Sequence, residues 1–397
     1  MTALIISHYT ATTCLGHGLA PLAAALREGR SGLAPCTFET ASCDSCVGEI
    51  DGVDDEQLPA SLREFDCRNN RLARLGLRQD GFENAVRATI ARVGCRRLGL
   101  FLGTSTSGIL ETEIAYRHRD PRTGVLPATF SYRGAHNTFS VAAFLRELLG
   151  LEGPAVVVST ACSSSAKVFG SAQRMIDAGI IDAALVGGVD SLCLTTLYGF
   201  QSLQLTSRGP CRPFAADRDG ISIGEGAAFA LLARPGRETR AGSIALLGVG
   251  ESNDAYHLSS PHPEGLGARF AMQAALAAAG VAPEQVDYLH LHGTATPSND
   301  RAESRAVLGV LGAAVPCSST KGATGHTLGA AGAVGAVVSA LALAQGFMPG
   351  GVNTAVADPA LGVNYLTATR NVAPSRVLSN SFGFGGTNCS LLLGRAG

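Results

Sequence analysis

PAVVVSTACSSSAKVFGSAQRMIDAG, residues 154–179, is the stretch from which the architecture can be read. A run of valines ends in a turn rich in hydroxyls, and small and apolar residues then recur at helical spacing. Continuous apolar runs suit strands that are covered on both faces. RRLGLFLGTSTSG (96–108) reads the same way, as strand then Gly/Ser turn, and IIDAALVGGVDS (180–191) as a second buried strand. The pattern returns late in the chain in AVPCSSTKGATGHTLGAAGAVGAVVSALALAQG (314–346), with a short strand, a hydroxyl-rich turn and a small-residue helix. Two such halves packed face to face bury both Gly/Ala helices between their sheets, where small side chains permit close approach. They also bring both turns to one central site. The expectation is an α/β fold of five alternating helix and sheet layers built from two pseudo-repeated halves. The run ARPGRETRAGS (233–243) is the candidate seam, giving halves 1–242 and 243–397.

The composition narrows the function classes. The chain has 397 residues, a formal net charge of -1 and 46% hydrophobic residues, ample for a large core. A phosphate-binding surface usually shows a basic excess, so nucleic acid is not the expected partner. The opening MTALIISHYTATT lacks a basic leader region and a long apolar run, so a reducing cytoplasm and free thiols are expected for the 11 cysteines. The apolar stretch 327–344 is made of Gly and Ala more than of large side chains, and reads as a buried helix, not a membrane span. CDSC at 43–46 has no second cysteine pair and reads as a surface loop; no metal site is expected. Lysine occurs only at Lys167 and Lys321, against 29 arginines, so a retained Lys points to a need for a compact ammonium.

Cys162 stands at the strand-to-helix junction. There the positive end of the helix dipole is expected to lower its pKa, and a sharp turn to expose the sulfur and free its own N–H for an oxyanion. Two of the nine histidines sit in glycine-marked turns after apolar runs: His292 in YLHLHGTATPSND and His326 in SSTKGATGHTLGAAG. Neutral imidazoles there can donate to a carbonyl oxygen that becomes negative. Lys321, five residues before His326, can hold a neighbouring proton network in place. His290 shares the strand face of His292 but precedes the turn, and reads as a packed core histidine. In SNSFGFGGTNCSLLLG (379–394) two strands flank a glycine turn with Phe382 and Phe384, bulky enough to close a tunnel.

These residues resemble the β-ketoacyl-acyl-carrier-protein synthases of the elongating, Cys-His-His type, in the thiolase-like superfamily. GTSTSG, GPAVVVSTACSSS, PCRPFAADRDGISIGEGAA, SNDAYHLSSP, HGTATPSND, SSTKGATGHTLGAAGA and SNSFGFGGTN occur in the family's order. The resemblance implies a thiolase-like five-layer fold and a decarboxylative Claisen condensation with malonyl-acyl-carrier protein. It makes Cys162 the acylated nucleophile, His292 and His326 the pair that assists decarboxylation, and Lys321 the support of His326. The N–H groups of Cys162 and Phe384 form the oxyanion hole, and Phe384 is the gate. Thr294, Thr296 and Ser259 contact the phosphopantetheine arm, with Phe382 and Thr112 as further substrate-binding positions. No resident cofactor is implied, since phosphopantetheine arrives on the carrier. The partners are acyl-carrier protein, malonyl-acyl-carrier protein, and a second subunit in a homodimer or in a heterodimer with a chain-length subunit.

Carrier proteins are acidic, so a basic docking face is expected. Arg68, Arg71, Arg74 and Arg78 fall on one helical face of CRNNRLARLGLRQ, and Arg208 in LTSRGP is a second candidate. The chain also departs from the family. The usual acidic residue after GAAGAV is Gly335 here, so Lys321 lacks its customary partner and Glu225 is the expected substitute. GILETEIAYRHRDP (108–121), with Glu111 and Thr112, is more polar than a saturated acyl pocket requires and resembles the aryl-polyene branch. Two rival readings are weaker. A non-catalytic chain-length subunit would lack the nucleophile, and a simple Cys–His acyltransferase or thioester hydrolase would leave the second His, Lys321 and Phe384 without a role.

Overall fold

The computed structural model describes residues 3–236 and 239–396. Residues 237 and 238 of the expected seam therefore lie outside the described residues. The first half supplies β1 (Leu4–Thr13), β2 (Gly16–His17), β3 (Ala34–Pro35), β4 (Cys46–Gly48), β5 (Leu98–Gly103), β6 (Ala155–Val158), β7 (Ala183–Asp190), β8 (Ile223–Gly224) and β9 (Gly226–Ala233). The second supplies β10 (Ile244–Asn253), β11 (Tyr288–His290), β12 (Pro316–Ser318), β13 (Asn364–Tyr365), β14 (Arg376–Phe382) and β15 (Thr387–Arg395). Helices α1 (Leu19–Glu28), α2 (Arg68–Leu77), α3 (Phe82–Val93), α4 (Ile109–Arg117), α5 (Ser140–Leu149), α6 (Ser164–Asp177) and α7 (Leu194–Ser202) belong to the first half. The second carries α8 (Leu266–Ala279), α9 (Pro297–Val310), α10 (Lys321–Thr324) and α11 (Ala331–Gln345).

The main sheet runs β13-β12-β11-β14-β15-β10-β1-β9-β7-β5-β6. Within it the two halves repeat one topology. β6-β5-β7-β9-β1 and β12-β11-β14-β15-β10 match strand for strand: counting only these five in each half, the third, second, fourth, fifth and first in chain order lie side by side. In both, the three strands farthest from the junction are parallel, and the next two pair antiparallel. The halves meet edge to edge through a short antiparallel contact, Leu4 opposite Leu246 and Ile5 opposite Ala245. The expected pair of sheets is thus one twisted sheet folded over its own helices.

Those helices are α6 and α11, which follow β6 and β12 at equivalent points of the repeat. Gly332 explains their small-residue sequences: a Cβ there would lie 2.7 Å from the Cβ of Ala166, nearer than side chains approach. The innermost core joins Val168, Phe169, Ala336 and Leu343 to strands of both halves. Leu72, Val86 and Leu145 cover the first half from outside, and Met272, Leu276 and Val307 cover the second. This gives the five layers. The window Leu328–Gln345 is apolar and long enough to cross a membrane, but 83% of it is buried inside the protein, as a core helix requires. All 11 cysteines are free. CDSC is only partly a surface loop, because Cys46 opens β4 and is buried.

Candidate active site

Between the end of β6 at Val158 and the start of α6 at Ser164 the chain must reverse within a few residues. The hydroxyls around Cys162 make that turn possible. Ser164 Oγ accepts from the N–H of Thr160 at 2.8 Å and donates to the carbonyl of Ala161 at 2.6 Å. Ser163 Oγ donates to the Thr160 carbonyl at 2.9 Å. The left-handed backbone falls on Ala161, with φ at 51°, and presents the next residue into the interior. Cys162 is 6% exposed and lines an internal cleft. The expectation of an exposed, acidified thiol is corrected here. Burial pushes the thiol from 9.0 up to about 11, outweighing Lys321 and the N–H groups of Phe384 and Cys162, which act in the opposite direction.

The second half delivers its residues from two turns. His326 follows Gly325, whose φ of 70° ends the one-turn helix α10. Its backbone is clamped to the first half: its N–H donates to the Ser222 carbonyl at 2.7 Å, and its carbonyl accepts from Gly224 at 3.0 Å. Its Nε2 lies 3.0 Å from Cys162 Sγ, while Nδ1 takes the N–H of Leu328. His292 leaves β11 just before Gly293, and its ring stands edge-on to His326 with centroids 5.3 Å apart. The sulfur and one nitrogen of each ring lie within 4.8 Å of one another. Burial, then Lys321, holds both imidazoles well below 6.5, so both are neutral. Nδ1 of His292 has no hydrogen-bond partner among the described residues.

Lys321 is buried, and its Nζ donates to the His292 carbonyl. Burial lowers its pKa, opposed first by Glu303. Glu303, which the sequence reading did not select, accepts from the N–H of His292 at 2.8 Å and of Gly293 at 2.7 Å. Burial raises its carboxyl to about 7. The only hint in sequence is its place one helical turn after Asp300 on α9, the same face. Asp190 is a second unselected residue. It accepts from Thr104 Oγ1 at 2.7 Å, from the Ser105 N–H at 2.8 Å, and from the Gly329 N–H at 2.6 Å. One carboxylate thus ties the GTSTSG turn to the loop beyond His326.

Phe384 sits in the turn between β14 and β15, where Gly385 and Gly386 have φ of 79° and 77°. Its ring packs on Phe200 of α7 at 5.6 Å. Phe382 packs on His292 at 5.7 Å. The cleft of about 590 Å³, counting its mouth, is lined by Cys162, both histidines, both phenylalanines, Thr294, Thr296 and Ser259. Asp254 and Asn388 also line it; they lie in the SNDAYHLSSP and SNSFGFGGTN motifs, which gave them no role. Thr296 Oγ1 caps α9 by accepting from Asn299 and shares a 2.9 Å hydrogen bond with Thr294.

Four expectations are displaced. Arg68 is no docking residue: it is 2% exposed, with its guanidinium 2.8 Å from Glu225 and 2.5 Å from Asp54. Arg71 and Arg74 are half-buried on Asp66 and Glu56, because α2 is covered on nearly all sides. Glu225 does not serve Lys321, since Arg68 and the N–H groups of Ile50 and Leu192 occupy both its oxygens. Thr112 does not reach the cleft; its hydroxyl is 2.6 Å from His136 Nδ1. Glu111 is also withdrawn, accepting from the N–H of Arg68 at the start of α2. Arg208 is exposed, with no ion pair among the described residues.

Two family descriptions match the chain: "Beta-ketoacyl synthase, N-terminal domain" over residues 9–236, and "Beta-ketoacyl synthase, C-terminal domain" over 244–355. It is 37% identical over 321 residues to a 3-oxoacyl-[acyl-carrier-protein] synthase 2 of Vibrio cholerae, covering 75% of this chain and 76% of that protein. With the 3-oxoacyl-[acyl-carrier-protein] synthase 2 of Synechocystis it shares 31% identity over 407 residues, covering 98% and 97%. Its fold matches that of a ketosynthase solved in complex with its chain length factor from Xenorhabdus doucetiae, with a TM-score of 0.87 and 38% identity over 100% of this chain and 98% of that one.

Proposed function

The chain belongs to the beta-ketoacyl synthase family, and from that premise we propose how its residues divide the reaction between them. It is a 3-oxoacyl-[acyl-carrier-protein] synthase: it condenses an acyl group with malonyl-acyl-carrier protein, with loss of CO₂, in fatty-acid or polyketide-like synthesis. Cys162 attacks the acyl thioester, and the carrier's phosphopantetheine leaves as the free thiol with the proton that Cys162 gives up. Malonyl then occupies the cleft. Its bond to the carboxylate breaks, CO₂ departs, and the electron pair left behind forms an enolate whose oxygen is held by ring N–H groups of His292 and His326. The enolate carbon attacks the Cys162 thioester. The N–H groups of Cys162 and Phe384 hold the oxyanion until the carbon–sulfur bond breaks; Cys162 leaves as the thiolate and takes a proton from solvent to restore the thiol. No resident cofactor or metal takes part.

The observation that carries this reading is the gathering of sulfur and two neutral imidazoles within 4.8 Å. Neutral rings suit enolate binding, because each donates a proton in a hydrogen bond without surrendering it. Thr294, Thr296 and Ser259 line the route for the pantetheine arm, Phe382 buttresses His292, and Phe384 swings from Phe200 to admit the second substrate. Arg208, an exposed cation in the loop after α7, meets the acidic carrier.

The protein works in the cytoplasm as the catalytic subunit of a dimer. Its partner pairs along β6, the end strand of the main sheet in the first half, whose Val156, Val157 and Val158 are half-buried with one edge unpaired among the described residues. Similarity to a ketosynthase solved with its chain length factor favours a heterodimer. The test is intact mass after incubation with acyl-loaded carrier. One acyl group is expected on the parent and none on Cys162→Ala, whereas acylation that survives the substitution removes Cys162 from its role.

A further inference from the structure

His290 is a third buried imidazole beside this centre, and the mechanism above does not use it. It ends β11, between Ser318 of β12 and Ser379 of β14 in the parallel register. Its Nε2 lies 3.0 Å from Thr320 Oγ1, and its Nδ1 lies 3.4 Å from Ser379 Oγ. Two hydroxyls, each able to donate or accept, satisfy both nitrogens of a neutral ring in either tautomer. Room for the ring comes from Gly335 on α11. A Cβ at 335 would stand 3.1 Å from His290 Nδ1 and 2.9 Å from Ser379 Oγ. The position where the family usually carries an acid thus faces an imidazole that fills the same space without charge. Burial, reinforced by Lys321, holds His290 down at about 3, so it stays neutral at any working pH.

The contact with Thr320 matters because of what Thr320 begins. Its carbonyl accepts from the N–H groups of Ala323 at 2.9 Å and Thr324 at 3.0 Å, which closes the single turn of α10. Lys321 is the first residue of that turn and reaches the His292 carbonyl. We infer that His290 is a positioning residue for decarboxylation: seated in the space left by Gly335, it bridges Ser379 to Thr320 and so fixes the start of α10, from which Lys321 orients His292. The inference rests on the reading of the centre given above.

The two half-reactions separate the possibilities: acyl transfer to Cys162 by intact mass, and CO₂ release from malonyl-loaded carrier. His290→Asn and Thr320→Val are expected to lower kcat for CO₂ release about tenfold or more, as loss of an orienting partner does. KM for the malonyl carrier and the acyl-transfer rate stay within about twofold, since no contact to substrate is removed. Thr320→Ser, which keeps the hydroxyl, restores CO₂ release. Gly335→Glu alone is impaired by crowding, and Gly335→Glu with His290→Asn recovers most of the loss. Unchanged CO₂ release in His290→Asn, or equal losses in both half-reactions matched by a lower melting temperature, overturns the inference alone. A parent protein that accepts the acyl group yet releases no CO₂ overturns the reading of the centre, and the inference with it.

Discussion

The N–H of Leu328 donates to Nδ1 of His326 at 3.2 Å, so the single proton of that neutral ring sits on Nε2, facing the sulfur of Cys162. A ring held this way is a hydrogen-bond donor toward the cleft and not a base for the thiol. His326→Ala is therefore expected to leave acyl transfer nearly intact while CO₂ release falls about 100- to 1,000-fold, the usual cost of one lost transition-state donor. His326→Gln, whose amide also donates, should recover part of the loss. Equal CO₂ release by parent and His326→Ala would remove the ring from the decarboxylation step.

The thiol itself should be slow to ionise. With its pKa raised from 9.0 to about 11 by burial, the thiolate is a small fraction at neutral pH and grows tenfold for each pH unit below that value. The rate of Cys162 alkylation by iodoacetamide is expected to be still climbing with unit slope at about pH 10, where an ordinary cysteine has already levelled off. Lys321 favours the thiolate, so Lys321→Met should slow alkylation further. A plateau below about pH 8 would show that the thiol is acidified instead.

The arginines divide by environment. Arg208→Glu should raise KM for the acyl carrier roughly three- to tenfold at low ionic strength and leave the melting temperature alone, with the difference fading as salt is added. Arg68→Ala should instead lower stability by about 3–5 kcal/mol, because Glu225 would be left charged and buried without its partner. Thermal unfolding checks the second and salt-dependent kinetics the first. A carrier KM that Arg208→Glu leaves unmoved would place docking on another surface.

The repeated layers were legible in the sequence because their signal is local. AVVV before STACSSS and AVPC before SSTKGATG each mark a strand, a turn and a helix within one short window, and the structure keeps both. The cluster of Cys162, His292 and His326 was legible for the same reason: each sits in a turn that its own neighbours announce, and the three side chains do meet. What stayed hidden depends on distant partners. The arginine spacing in α2 marked a helix correctly, yet nothing near Arg68 indicates that Glu225, 157 residues away, would draw it inside. The thiol was misjudged likewise. A helix start argues for acidity, and only the assembled cleft shows that desolvation outweighs it. Glu303 and Asp190 were overlooked because their value lies in backbone N–H groups from other segments.

Asp190 gives the duplicated architecture a practical meaning. Its carboxylate collects donors from the first half and, through Gly329, from the loop that carries His326 in the second. Two polypeptides cut at the seam would each inherit an unfinished workplace, one with Cys162 but neither His292 nor His326, the other the reverse. Activity regained on mixing them, and lost again with Asp190→Ala in the first piece, would report that this acid helps to rejoin them.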